Sequence, residues 1–181
     1  MRIISGKFKG LVINTPQGNY TRPTLSRVKE SIFNILQNSG SLEGARFLDL
    51  FSGTGQIGLE ALSRGAIHCT FVDNTTHLLL RQNISKVTYP LVYEILSQNV
   101  DDSIKYLQNK PFNYIYLDPP RSYTKVPELL KLIFKYNVLN KNGLIILEQD
   151  SLQHPLSYEN FIITKTKTYG KTMVSFYREV S

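Results

Sequence analysis

Asp118-Pro119-Pro120-Arg121 follows directly on the apolar run Tyr114-Ile115-Tyr116-Leu117, which puts a rigid carboxylate where a sheet strand should end. Each proline fixes φ near about −65° and lacks an N–H, so the segment gives up backbone donors and keeps its carbonyl acceptors. Stiffly held acceptors complement a planar NH2 group, as on adenine N6, cytosine N4 or guanine N2. The lone pair of such an amine is delocalised into its ring, which makes it a poor nucleophile. Accepting its hydrogens at Asp118 and at the Pro119 carbonyl pushes that lone pair toward an electrophile, with the acid taking the surplus proton. Asp118, Pro119 and Pro120 are therefore the candidate catalytic residues. Read alone, the tripeptide is more readily a proline turn without chemistry.

The second chemical feature is Asp49-Leu50-Phe51-Ser52-Gly53-Thr54-Gly55-Gln56-Ile57-Gly58, a G-x-G-x-x-G loop between a predicted strand and a predicted helix. In a dinucleotide site the glycines admit a pyrophosphate, and a carboxylate four residues before the first glycine has no partner there. S-adenosylmethionine carries an ammonium instead, so Asp49 has a cation to meet. Asp73 closes the next strand and is placed to accept from ribose hydroxyls, with Asn74 beside it. After the third strand, Gln98 and Asn99, followed by Val100, can read an adenine edge or simply form a polar loop. The candidate cofactor residues are thus Asp49, Phe51, Ser52, Gly53, Thr54, Gly55, Asp73, Asn74, Asn99, Val100 and Asp118. All lie on the sheet edge where open α/β folds bind ligands.

Strands are predicted at 46–51, 69–73, 93–96, 113–118 and 143–148, alternating with helical stretches such as 57–63 and 126–136. That alternation is the signature of a parallel α/β sheet. Two further β-rich runs, 160–167 and 172–177, are separated too briefly for a crossover helix, so they must pair antiparallel. The expected architecture is a Rossmann-like, mostly parallel seven-stranded sheet ending in an antiparallel hairpin. Before it, 2–5 and 11–14 can form a small β-hairpin. A helix over 25–37 follows, with an apolar stripe at Val28, Ile32, Ile35 and Leu36 and Thr24 as N-cap. Residues 1–40 then form an extension facing the substrate and 41–181 the catalytic domain.

The 181 residues carry a net charge of +7, unevenly. Residues 1–46 contribute +5, 161–181 contribute +3, and the middle of the chain is nearly balanced at −1. A basic rim around a neutral core suits a polyanion, though charge alone does not choose among DNA, RNA and neither. No run of 18 apolar residues occurs, and no apolar signal stretch follows the basic start, so a cytoplasmic protein is expected. The single cysteine, Cys69, sits in an apolar run and reads as a core residue. His68, His77 and His154 lack metal-site spacing, so no metal is assigned.

These motifs resemble the bacterial RsmD family of small-subunit ribosomal RNA methyltransferases that modify guanine N2, and the match covers nearly the whole chain. Beyond the glycine loop and D-P-P it includes Ile3-Ile4-Ser5-Gly6-Lys7-Phe8-Lys9-Gly10, Thr21-Arg22-Pro23-Thr24, Arg27-Val28-Lys29-Glu30 and Glu60-Ala61-Leu62-Ser63-Arg64-Gly65-Ala66. The resemblance implies a class I methyltransferase fold, S-adenosyl-L-methionine as donor, and a guanine of 16S rRNA as acceptor within an assembled small ribosomal subunit. Arg22, Arg27 and Lys29, in the matched N-terminal segment, are candidate phosphate contacts.

The chain departs from the family pattern at Arg121, where an aromatic able to stack on the base is common after D-P-P. A guanidinium plane also stacks on bases or binds phosphate, and Tyr123 is a second candidate. Asn99 stands where Asp is common, and Asp73 replaces a frequent Glu. Two alternatives remain open: an N6-adenine DNA methyltransferase, for which the chain is short, and a non-catalytic RNA-binding relative. With no large apolar surface run, a monomer is expected.

Overall fold

The computed structural model describes residues 1–16, 26–154 and 157–180. The central strand β1 (Arg46–Leu50) lies between β2 (His68–Val72) and β4 (Phe112–Leu117), all parallel. These strands are short, apolar and buried on both faces, as parallel strands covered by helices must be. β3 (Tyr93–Leu96) extends the sheet beyond β2, and β5 (Leu139–Asp150) extends it beyond β4. β7 (Thr172–Glu179) then pairs antiparallel with β5, and β6 (Phe161–Tyr169) with β7, giving the order β3-β2-β1-β4-β5-β7-β6. The expected parallel sheet with a terminal antiparallel hairpin is therefore present. Gly170, at φ +59°, supplies the left-handed residue that lets β6 turn directly into β7.

Among the described residues five helices cover the sheet: α1 (Ser26–Ser39), α2 (Gln56–Ser63), α3 (His77–Ile84), α4 (Val100–Tyr106) and α5 (Val126–Lys135). α1 buries Val28, Ile32, Phe33 and Leu36. Phe33 takes the place expected of Ile35, which is only half-buried. One apolar cluster packs α1 and α2 with Phe47, Phe71 and Tyr116, and a second on the other face packs α4 and α5 with Leu48, Ile115 and Tyr177. Ile3, Phe8 and Ile13 join the first cluster, so the N-terminal segment shares the core of the sheet. Thr24, the expected cap of α1, lies outside the described residues. No helix among the described residues is long and apolar enough to cross a membrane.

The expected N-terminal hairpin pairs around the bridge of Arg2 with Val12, Ile3 N donating to Leu11 O, Gly10 N to Ile3 O and Ile13 N to Met1 O at 2.9 to 3.0 Å. Further backbone donors from its turn reach α2. Ile4 N and Ser5 N donate to the carboxylate of Glu60, on α2, at 2.8 and 3.0 Å. The same carboxylate takes Lys29 Nζ at 3.1 Å and Arg64 Nε at 2.9 Å, and Glu60 is fully buried. Lys7 N donates to Ser63 O at 2.8 Å, and Gly6, at φ +83°, lies so close that a Cβ would stand 1.8 Å from that carbonyl oxygen. Both the backbone conformation and the contact demand glycine there. Lys29, expected to meet phosphate, is instead 1% exposed and bonded to Glu60 and to Arg2 O. A buried ammonium costs too much to leave unpaired, which is why it is held inside the protein and not offered to RNA.

Removing one partner of a buried ion pair leaves the other charges uncompensated, at a cost of roughly 3–5 kcal/mol. Glu60→Ala should therefore lose about that much stability in urea unfolding. A loss below about 1 kcal/mol would show that the carboxylate does not hold the N-terminal segment.

Candidate functional site

Asp49, Asp73 and Asp118 come from β1, the end of β2 and the end of β4, three neighbours in the sheet, and meet at its C-terminal edge. Asp49 is buried, and its Oδ2 accepts from Gly58 N at 2.9 Å. That bond ties the strand to the first turn of α2. The approach is possible because Gly58 has no side chain: a Cβ there would lie 2.3 Å from the Phe71 ring and 2.6 Å from Cys69 Sγ. Burial pushes the Asp49 carboxyl up to about 8. The Gly58 bond opposes this, and the charges of Asp118 and Asp73 add to it. The site therefore holds more negative charge than it can keep ionised without a cation.

The glycine loop is built as a cradle. Phe51 turns out of β1 at φ +60°, a conformation costly for an aromatic residue, and Gly53 and Gly55 follow in the same left-handed region. Gly55 N donates to Ser52 O at 2.8 Å, and Ser52 N to Val72 O at 3.0 Å. Thr54 O accepts from the buried amide of Asn83 at 2.9 Å. Asp73 closes the loop: its Oδ2 accepts from Gly53 N at 2.9 Å, while Oδ1 accepts from Thr76 N, Thr75 N and Thr75 Oγ1 at 2.7 to 3.0 Å. Burial raises its pKa, but the bonds from Thr76, Thr75 and Gly53 outweigh that and hold it below the usual carboxylate range. Both oxygens already serve the loop, so Asp73 has less capacity for a ribose diol than its position suggested. Asn74 is exposed beside it.

Asn99 is the N-cap of α4, with Oδ1 accepting from Asp102 N at 2.8 Å and Nδ2 donating to Asp102 Oδ2 at 2.7 Å. The side chain expected to read an adenine edge thus spends both its groups on the helix start. Val100 is buried behind it. Asn99, Val100 and Tyr123 line a cavity of about 240 Å³, while Pro119, Pro120, Arg121, Glu148 and Tyr123 line a larger one of about 490 Å³. Tyr123 is the wall between them. Its ring packs edge-on against Phe51 at 5.0 Å, and Tyr123 N donates to Pro120 O at 2.8 Å. Its buried hydroxyl has no hydrogen-bond partner among the described residues, and burial raises its pKa to about 12.

Arg121 stands at the mouth of the larger cavity, mostly exposed, 3.0 Å from Asp150. Arg27 is exposed on α1, and Arg22 lies outside the described residues. One residue escaped the sequence reading: Glu148, buried near the end of β5 and accepting from Tyr116 Oη at 2.6 Å. The sequence shows Glu148 at the end of an apolar run, but only the pairing of β4 with β5 sets it beside Asp118.

S-adenosylmethionine can be tested against this arrangement. A buried carboxylate pushed up to about 8 by burial and by neighbouring charge suits an ammonium, and the loop glycines leave room for close approach. The residues present fit the group.

The family model described as Conserved hypothetical protein 95 matches residues 1–178. YlbH of Bacillus subtilis, named provisionally as an rRNA methyltransferase, is 35% identical over 99% of this chain and 99% of its own. Ribosomal RNA small subunit methyltransferase D of Haemophilus influenzae is 32% identical over 98% of this chain and 93% of its own. Among solved structures, yhhF of Escherichia coli superposes with a TM-score of 0.83 at 29% identity, covering 99% of this chain and 97% of that one.

Asp49 gives the free protein a measurable pH dependence. Its native pKa lies above its unfolded value, so its favourable contribution is complete below about pH 4 and is lost as pH rises through about 8. Asp49→Asn keeps an acceptor for Gly58 N without the charge. In chemical denaturation the variant should gain on the parent by at least about 1 kcal/mol between pH 5 and pH 9. Parallel stability curves across that range would contradict the buried-charge assignment.

Proposed function

Because the chain belongs to the Conserved hypothetical protein 95 family, we propose that it transfers a methyl group from S-adenosylmethionine to the exocyclic N2 of a guanine in small-subunit ribosomal RNA. The observation that carries this reading is the position of Asp118-Pro119-Pro120. The motif ends β4, immediately beside β1 and its Asp49, and it opens onto the larger cavity.

When bound, S-adenosylmethionine supplies an electrophilic methyl group on a sulfonium. Asp49 and the backbone of Phe51 to Gly55 would hold its charged tail, and Asp73 steadies the glycine loop through Gly53. Val100, Asn99 and Tyr123 border the smaller cavity, which suits the adenine end. Asp118 and the Pro119 carbonyl accept the hydrogens of the acceptor amine and orient its lone pair. The Asp118 carboxylate takes the proton released. Exposed Arg27, with Lys7 and Lys9 near the start of the chain, supplies the phosphate contacts, and Arg121 guards the acceptor cavity. The acceptor is an assembled or assembling small subunit, and the protein works as a cytoplasmic monomer.

Methyl transfer to unmethylated small subunits, free rRNA and duplex DNA, followed by nucleoside analysis, tests this. N2-methylguanine from subunits is expected, with kcat falling about 100- to 10,000-fold in Asp118→Ala. N6-methyladenine from DNA, or an unimpaired Asp118→Ala, would refute it, and donor binding without turnover would mark a non-catalytic relative.

A further inference from the structure

β4 and β5 run parallel with Leu117 opposite Leu147, which sets Asp118 and Glu148 side by side just beyond the paired residues. Adjacent strands lie about 4.8 Å apart. Tyr116 sits among these carboxylates: its hydroxyl donates to Glu148 Oε2 at 2.6 Å, and its ionisation is opposed first by burial and then by the charges of Glu148, Asp118 and Asp49. Glu148 is 3% exposed, yet it lines the same cavity as Pro119 and Pro120.

Guanine differs from adenine on the edge that carries its amine. In guanine the N2 amine sits next to N1–H, so two adjacent positions donate. In adenine the amine sits next to an unprotonated N1, which accepts. Two adjacent acceptor residues, Asp118 with Pro119 on one strand and Glu148 on the next, match the guanine pattern. An adenine N1 would set its lone pair against a buried carboxylate.

We propose that Glu148 is a specificity-determining residue that accepts the N1–H of the acceptor guanine while Asp118 and Pro119 hold its N2 amine. The inference rests on the guanine-N2 reading above and adds a residue to it. Tyr116 is a positioning residue: its hydrogen bond fixes the Glu148 rotamer, and a carboxylate can accept several donors at once.

The decisive probe is 2-aminopurine, which keeps the N2 amine but has an acceptor at N1. After the methylated position is mapped, small subunits are reconstituted with guanine or 2-aminopurine there. The parent should prefer guanine by at least about tenfold in kcat/KM. Glu148→Gln, whose amide can donate to an unprotonated N1, should lower that ratio at least about tenfold, with S-adenosylhomocysteine affinity within about twofold of the parent. Tyr116→Phe should move the ratio the same way by less. If the variants slow both acceptors in equal proportion, or leave the ratio unchanged, the inference is overturned. Should Glu148→Gln fail to bind S-adenosylhomocysteine, Glu148→Asp and Tyr116→Phe decide: an unchanged ratio in both overturns the inference. A parent that makes no N2-methylguanine on any particle defeats the underlying reading instead.

Discussion

The structure turns on one buried carboxylate. Asp49 lies near the end of the central strand, accepts from the Gly58 N–H in the first turn of α2, and lies within electrostatic reach of Asp73 and Asp118. A charge in that position is expensive, and the protein offsets only part of the cost with its own backbone. The rest invites a cation. The same constraint explains the local sequence, since Gly58 must be bare to approach Cys69 and Phe71, and Phe51 must leave the strand in a left-handed conformation to open the loop. Asp49 and Asp118 lie near each other because β1 and β4 are neighbours. The two cavities share a wall because Tyr123 packs on Phe51 while lining both.

A second buried charge organises the other end of α2. Glu60 collects two N-terminal backbone donors, Lys29 and Arg64, and so fastens the first residues of the chain to the sheet domain. The first residues of the chain, with exposed Lys7 and Lys9 among them, are therefore held in a fixed relation to the sheet.

Much of this was legible in the residues. Apolar runs closed by Asp73 and Asp118, and the glycine turn that follows Asp49, located three strand ends, and the short gap before Thr172 required the antiparallel pair that β6 and β7 form. What escaped the reading depended on which partner each side chain takes. Lys29 has the composition of a phosphate contact, but Glu60, far along the chain, draws it into the core. Asn99 has the groups to read adenine, yet its offset from Asp102 also makes it a cap, and the cap is what forms. Glu148 passed as the end of a strand because only the register of β4 against β5 sets it beside Asp118. Periodicity identifies elements, whereas the pairing of charges across them requires the fold.

Asp49, its carboxyl pushed up to about 8 by burial, is held protonated in part until a cation arrives beside it. Carbonyl-detected NMR titration of the Asp49 side chain, with and without saturating S-adenosylmethionine, measures this directly. A midpoint near 8 in the free protein, falling by two units or roughly more when the donor binds, is the predicted result. A midpoint already in the ordinary carboxylate range without donor, or one that the donor leaves unmoved, would contradict it.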